Sequence, residues 1–214
     1  MNKTIEDKLN EGRSYRNIDV SSFERKTEDN EMRVSGYATT FNQPYELWSY
    51  DGYTLIEQID PHAFDETDMR DVIMQYDHAG RVFARVSNDT LKLDIDDHGL
   101  HVEARLGGTE IGRQLFEEIE GGYTTKMSFG FIVAEDKREV TENHEENTVT
   151  VLRTVTKVSR LFDVSAVSLP ANDATAISAR SFGEGVIAEV REEIARRNRQ
   201  RQKIRILIST GKEI

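Results

Sequence analysis

Cysteine is absent from the 214 residues, which removes disulfides, thiolate catalysis and cysteine-ligated zinc together. A reducing cytoplasm suits such a chain. Basic charge is also scarce: 28 Lys and Arg stand against 39 Asp and Glu, for a net charge of −11. General attraction to nucleic acid or to an anionic membrane is therefore not expected. Long apolar runs are missing too. No stretch approaches the ~18 apolar residues that span a bilayer, and the polar first twenty residues lack the apolar core of a secretory signal. The chain reads as soluble and unsecreted, without a membrane or specific nucleic-acid partner. The shortage of basic residues is uneven, however. Residues 182–214 carry eight basic side chains against five acidic ones, so this tail is net basic.

Residues 1–31 are charged and polar, with too few apolar side chains to anchor a core; they read as a flexible or partly docked leader. From Met32 the character changes, because MRVSGYATTF sets β-branched and aromatic residues around a glycine as a strand does. The clearest signal is TLKLDIDDHGLHVEARL. There Leu91, Leu93 and Ile95, then Leu100, Val102, Ala104 and Leu106, alternate with polar residues about Asp97-His98-Gly99, which predicts a β-hairpin. A short helix follows, N-capped by Thr109, with Ile111, Leu115, Phe116 and Ile119 at helical spacing and Gly121-Gly122 as its stop. YTTKMSFGFIVAE reads as a strand, residues 135–147 as a long exposed hairpin loop, and the β-branched run after it as strand ended by Pro170. From Phe182 the pattern predicts a charged helix with a narrow apolar stripe of Val186, Val190 and Ile194. The fold class is thus mostly β with short helices (α+β). It comprises a leader over residues 1–31, a mostly β domain over residues 32–180 and a charged, net-basic helical tail over residues 181–214. So many strands avoid raw edges naturally in a closed or nearly closed β-barrel.

Without cysteine, chemistry falls to Ser, His, Asp, Glu and Lys. His98 sits in a hairpin turn, His101 on a polar strand face and His144 in an acidic loop, all solvated positions. His62 lies in IDPHAFDETD near Glu57, Asp60, Asp65, Glu66 and Asp68, a set that includes hard-metal ligands. Its spacing matches neither an EF-hand loop nor an HExxH helix, and a polar loop around a Pro-initiated turn accounts for it. No metal and no cofactor is expected. His78 differs: it closes the apolar run Val72-Ile73-Met74 in DVIMQYDHAGR, where a strand meets a loop. A general base sits well there, and so does a half-buried histidine bonded to a carbonyl. In KMSFGF, period two sends Met127, Phe129 and Phe131 one way and Ser128, Gly130 and Ile132 the other. The serine's small face fits a substrate strand lying across it, or a bulge or bend. Asp163 shares a face with Ser165, Val167 and Leu169 on an apolar strand, where a carboxylate needs a partner. That partner is either an Arg or Lys, or the ring N–H of a histidine. Together His78, Ser128 and Asp163 supply a base, a nucleophile and an orienting acid, although pattern alone does not bring three distant residues into contact.

In order from about Val34 to Arg180, GYATTFNQP, the PHAF loop, QYDHAGRVFARV, ARLGGTEIGRQLFEEIEGG, KMSFGFIV and LFDVSAVSLPAND resemble the prohead (capsid-maturation) serine proteases of tailed bacteriophages. The resemblance implies a β-barrel core related to herpesvirus assemblin. It also implies a serine endopeptidase acting inside the immature phage capsid, in the cytoplasm of the infected bacterial host. The family's histidine falls on His78, its serine on Ser128 and its third member on Asp163, where relatives more often carry Glu before the VS pair. PHAF departs from the more usual PGAF, which argues against an essential role for His62. The implied substrates are the scaffolding region of the major capsid protein, or a separate scaffold protein, and the protease itself, with a homo-oligomer as a further partner. Oxyanion donors are expected among backbone N–H groups, with Arg160 as an addition. Two rival readings stand beside this one: a non-catalytic capsid assembly protein of the same fold, and a metal-dependent hydrolase centred on His62 and His78.

Overall fold

The computed structural model describes residues 5–18, 24–26, 32–167 and 173–209. Along the chain come α1 (Ile5–Asn10), β1 (Ser14–Ile18), β2 (Glu24–Lys26), β3 (Arg33–Thr40), β4 (Tyr45–Tyr50), β5 (Tyr53–Ile59), β6 (Ile73–Tyr76) and β7 (Ala79–Arg85). After a 3-10 turn at Val86–Asn88 follow β8 (Leu91–Ile95), β9 (Gly99–Arg105), α2 (Glu110–Glu120), β10 (Lys126–Asn143), β11 (Thr148–Val167) and α3 (Asp173–Ser209).

Alternation decides the smaller sheet. Leu91, Leu100, Val102 and Ala104 turn inward and are buried, so β8 and β9 pair as the predicted antiparallel hairpin. Asp96 Oδ1 accepts the backbone N–H groups of His98 at 2.8 Å and Gly99 at 2.9 Å, which closes the turn. Only glycine fits at position 99, because a Cβ there would stand 2.0 Å from the Thr39 carbonyl oxygen. β9 pairs with β3 and β3 with β2, giving an antiparallel sheet in the order β2-β3-β9-β8.

The larger sheet is organised by one long ribbon. β10 and β11, of 18 and 20 residues, pair antiparallel from Lys126↔Val167 to Asn143↔Thr148. Residues 135–143, expected in a hairpin loop, therefore belong to the ribbon, and only residues 144–147 lie between its strands. Glu, Lys and Arg are poor strand formers, but here the backbone ladder and ion pairs such as Arg153–Asp136 (2.5 Å) and Arg138–Glu189 (2.9 Å) hold them extended. β11 is long enough to take two parallel partners on one edge: β5 along Val149–Val155 and β6 along Asp163–Ala166. The path runs β1-β10-β11-β5-β4, with β7 on β6.

Neither sheet closes on itself, which corrects the expected closed or nearly closed barrel. β1 and β4 end the larger path, and β2 and β8 end the smaller one. Other means protect these edges. α3 packs on β4 and β1, while β2 is a short ERK strand and β8 carries Lys92 and Asp94.

The main core lies between the sheets, where Phe64, Phe129, Phe131, Val155 and Leu161 meet Val34, Ala38, Leu100 and Val102. Each fully buried side chain of this kind contributes ~1.5–3 kcal/mol. α2 completes it with Leu115, Phe116 and Ile119, and starts where expected: Thr109 Oγ1 accepts the Gly112 N–H at 3.1 Å. A second cluster of Leu55, Val151, Val186 and Val190 docks α3 on the outer side of the larger sheet.

Candidate active site

His78 owes its position to a strained turn. β6 and β7 are joined by Asp77 and His78 alone, with φ of 47° and 58°. A two-residue hairpin turn with both φ values positive belongs to the type that favours Asn-Gly or Asp-Gly. A histidine in the glycine position costs about 1–3 kcal/mol, and the surroundings hold it there. The Asp77 N–H donates to the Ala166 carbonyl at 3.0 Å, Gln75 Nε2 to the Gly80 carbonyl at 3.3 Å, and Lys8 Nζ to the His78 carbonyl at 2.6 Å.

Strand register supplies the other two groups. Ser128 stands opposite Ser165, and Gly130 opposite Asp163, so all four positions share one face of the ribbon. The same stretch of β11 pairs with β6, which delivers the His78 turn to that face. The small residue at position 130 is required by this crowding. A Cβ on Gly130 would lie 2.6 Å from Asp163 Oδ2 and 2.6 Å from Tyr15 Cε1.

The result is one hydrogen-bonded row. His78 Nε2 lies 2.5 Å from Ser128 Oγ, and His78 Nδ1 bonds Asp163 Oδ1. Ser165 Oγ donates to the same carboxylate oxygen at 3.1 Å. Of the three predicted residues, Ser128 is 0% exposed and His78 and Asp163 are 1% exposed. Asp163 Oδ2 has no hydrogen-bond partner among the described residues. It lies near a cavity of about 310 Å³ whose walls include Lys8, Arg13, Gln75 and Asp163. Tyr15 covers the imidazole, its ring centroid 4.3 Å away. Burial, and next the charge of Asp163, raise the Tyr15 phenol well above its ordinary pKa, with Arg13 opposing. Lys8 is shifted the other way: burial lowers it, although Asp163 pulls upward.

The remaining sequence candidates lie elsewhere. His62 is on the surface with Nδ1 3.1 Å from Asp65 Oδ2, in a hydrogen-bonded group separate from that of His78. Among the described residues no three His, Asp or Glu side chains gather as metal ligands would. Arg160 is half exposed, 3.9 Å from Asp68 and 4.8 Å above the Phe162 ring. Reasoning from sequence missed Tyr15, Lys8 and Ser165. The alternation Ser14-Tyr15-Arg16-Asn17-Ile18 was a weak strand signal in a segment otherwise dominated by charge.

A hydroxyl, an imidazole and a carboxylate stand in one enclosed row on an α+β frame of two open sheets, groups that can carry out nucleophilic acyl transfer. The chain belongs to the caudovirus prohead serine proteases, whose family profile matches residues 17–186. It is thus a serine protease of phage capsid maturation, a protein of the immature capsid. Comparison with curated proteins and with solved structures gives no significant match. Among the described residues no helix is long and apolar enough to cross a membrane.

Proposed function

We propose that Ser128 is the nucleophile, His78 the general base and acid, and Asp163 the orienting carboxylate of this protease. The observation that supports the assignment is the shared imidazole, bonded to Ser128 through Nε2 at 2.5 Å and to Asp163 through Nδ1. Asp163 accepts from Nδ1–H, which leaves the Nε2 lone pair facing the serine hydroxyl.

In acylation, Ser128 Oγ bonds to the scissile carbonyl carbon as its proton passes to Nε2. The C–N bond then breaks, and the proton leaves with the departing amine. Water reverses the sequence: its oxygen adds to the acyl carbon, one proton passes to Nε2, and Oγ regains that proton as the carboxylic product departs. Asp163 orients the ring and stabilises the imidazolium as it forms.

The substrate is the scaffolding region of the major capsid protein, or a separate scaffold protein, and the chain also cleaves itself. Family membership supports the capsid part of this reading. Co-expression with the capsid protein tests it. Wild type is expected to yield a shortened capsid protein, and Ser128→Ala an uncleaved one. Uncleaved shells from both forms would favour a non-catalytic assembly role.

A further inference from the structure

The covered state of the site points to how a substrate binds. A peptide cannot reach a serine that is 0% exposed, and the cover is the chain's own N-terminal segment. β11 holds one edge of β10 along its whole length, while β1 holds the other along Met127–Phe131, with Asn17 opposite Ser128 and Tyr15 opposite Gly130. A polypeptide that passes Ser128 as an added strand must use the edge that β1 occupies. Edge pairing gives affinity through main-chain hydrogen bonds, and alternate side chains give selectivity.

Arg16, between Tyr15 and Asn17, points to the opposite face and enters an acid pocket. Its Nε and Nη2 bond Glu57 Oε1 and Oε2 at 2.5 and 3.0 Å. Glu57 is fully buried and also receives Tyr45 Oη and Arg153 Nη1, each at 2.5 Å. Arg16 is thus one of two guanidinium groups compensating a buried carboxylate. When β1 leaves, Glu57 loses one of them, and a cation of matching fork geometry restores it. The rest of the strand is Ser14, Tyr15, Asn17 and Ile18, and nothing else on it carries a charge.

We propose that Ser14–Ile18 is a pseudosubstrate held in cis: it fills the groove in which a substrate docks as an added strand, and Glu57 selects an arginine of that strand. The proposal rests on Ser128 being the nucleophile, so the test separates the two claims. Peptide binding is read by fluorescence anisotropy on the full chain carrying Arg16→Glu, which drives β1 away from Glu57. The probe is the labelled heptapeptide GRSYRNI, residues 12–18. It is expected to bind at least about tenfold tighter than its Arg16→Ala counterpart, the worth of a charged hydrogen-bonded contact. Adding Glu57→Gln is expected to erase the difference.

In parallel, a fluorophosphonate probe is expected to label Ser128 at least about tenfold faster in Arg16→Glu than in wild type, as loss of the same contact would allow. Equal binding of the two peptides, no binding of either, or labelling of both wild type and Arg16→Glu at equal measurable rates would overturn the pseudosubstrate. Selective peptide binding without labelling of either form would support the groove and refute the nucleophile.

Discussion

The two sheets treat polar side chains in opposite ways. In the four-stranded sheet, Tyr37 meets Asp96 at the surface and Arg33 meets Glu103 at 2.7 Å with both about one-third exposed. Among the described residues of that sheet, Thr39 alone is a buried polar one. The seven-stranded sheet and its turns bury Arg16, Glu57, Gln75, His78, Ser128, Arg153, Asp163 and Ser165. Each buried polar group must recover its lost hydration through a partner, and a network so assembled is stable only when complete. The small sheet is consequently a packing device, whereas the large one spends stability on geometry. The strained Asp77-His78 turn and Asp163 Oδ2, unpartnered among the described residues, fall on the large sheet's side of that division.

Substitutions sharpen this contrast. The largest effect is expected at Ser128→Ala and Asp163→Asn, each lowering kcat by about 10⁴-fold or more on a capsid-derived peptide. Cooperative thermal unfolding should persist in Ser128→Ala. No substitution in β8 or β9 that leaves the chain folded should approach this effect.

Paired glycine variants come next. Gly130→Ala and Gly99→Ala each force a Cβ to within 2.6 Å or less of existing atoms, and each is expected to cost at least about 1–3 kcal/mol in urea unfolding. Only Gly130→Ala should also remove activity from the molecules that remain folded, since it displaces Asp163 and Tyr15. Equal activity of the two folded variants would break the comparison.

Acid should affect the large sheet before the small one. Burial works to raise Glu57, but Arg16 first and then Arg153 hold it down to about 2. Because that value lies below the unfolded value of about 4.3, the stabilisation is complete above the unfolded pKa. It is lost as pH falls towards the folded one. Urea midpoints measured from pH 5 downward should therefore fall, and the fall should be shallower in Glu57→Gln. Asp96 is also lowered, first by its bond to Tyr37, but its exposure to solvent makes Asp96→Asn the weaker change.

The smallest effect is expected at Thr109→Ala. Loss of the α2 cap should cost ~1 kcal/mol, with kcat unchanged.

The same contrast explains what was legible in the sequence. The β8–β9 hairpin and α2 were readable because their signals are local: period-two alternation, a tight turn, a cap and an apolar stripe within a few residues. The ribbon's outer half was misread because Glu, Lys and Arg look like loop when the partner strand is out of view. The barrel failed for a related reason. Alternation reveals that strands exist, not whether β1 and β4 find each other or are covered by α3. His78, Ser128 and Asp163 could be named individually as misplaced polar groups. Their meeting depends on register, with β6 parallel to β11 and Asp163 opposite Gly130, and register is a long-range property. Tyr15 and Arg16 were hidden most completely, because pairing with β10 and the bond to Glu57, rather than apolar content, dock their strand.

The central claim, that Ser128 and not its neighbour performs the chemistry, is tested most directly by a matched pair of serine variants. Ser128 and Ser165 are buried, face each other across β10 and β11, and join the same hydrogen-bonded row. Mass spectrometry of capsid-protein fragments from cells co-expressing Ser128→Ala or Ser165→Ala distinguishes them. The account predicts wild-type fragments, formed more slowly, with Ser165→Ala and none with Ser128→Ala. Wild-type fragments from Ser128→Ala would contradict it.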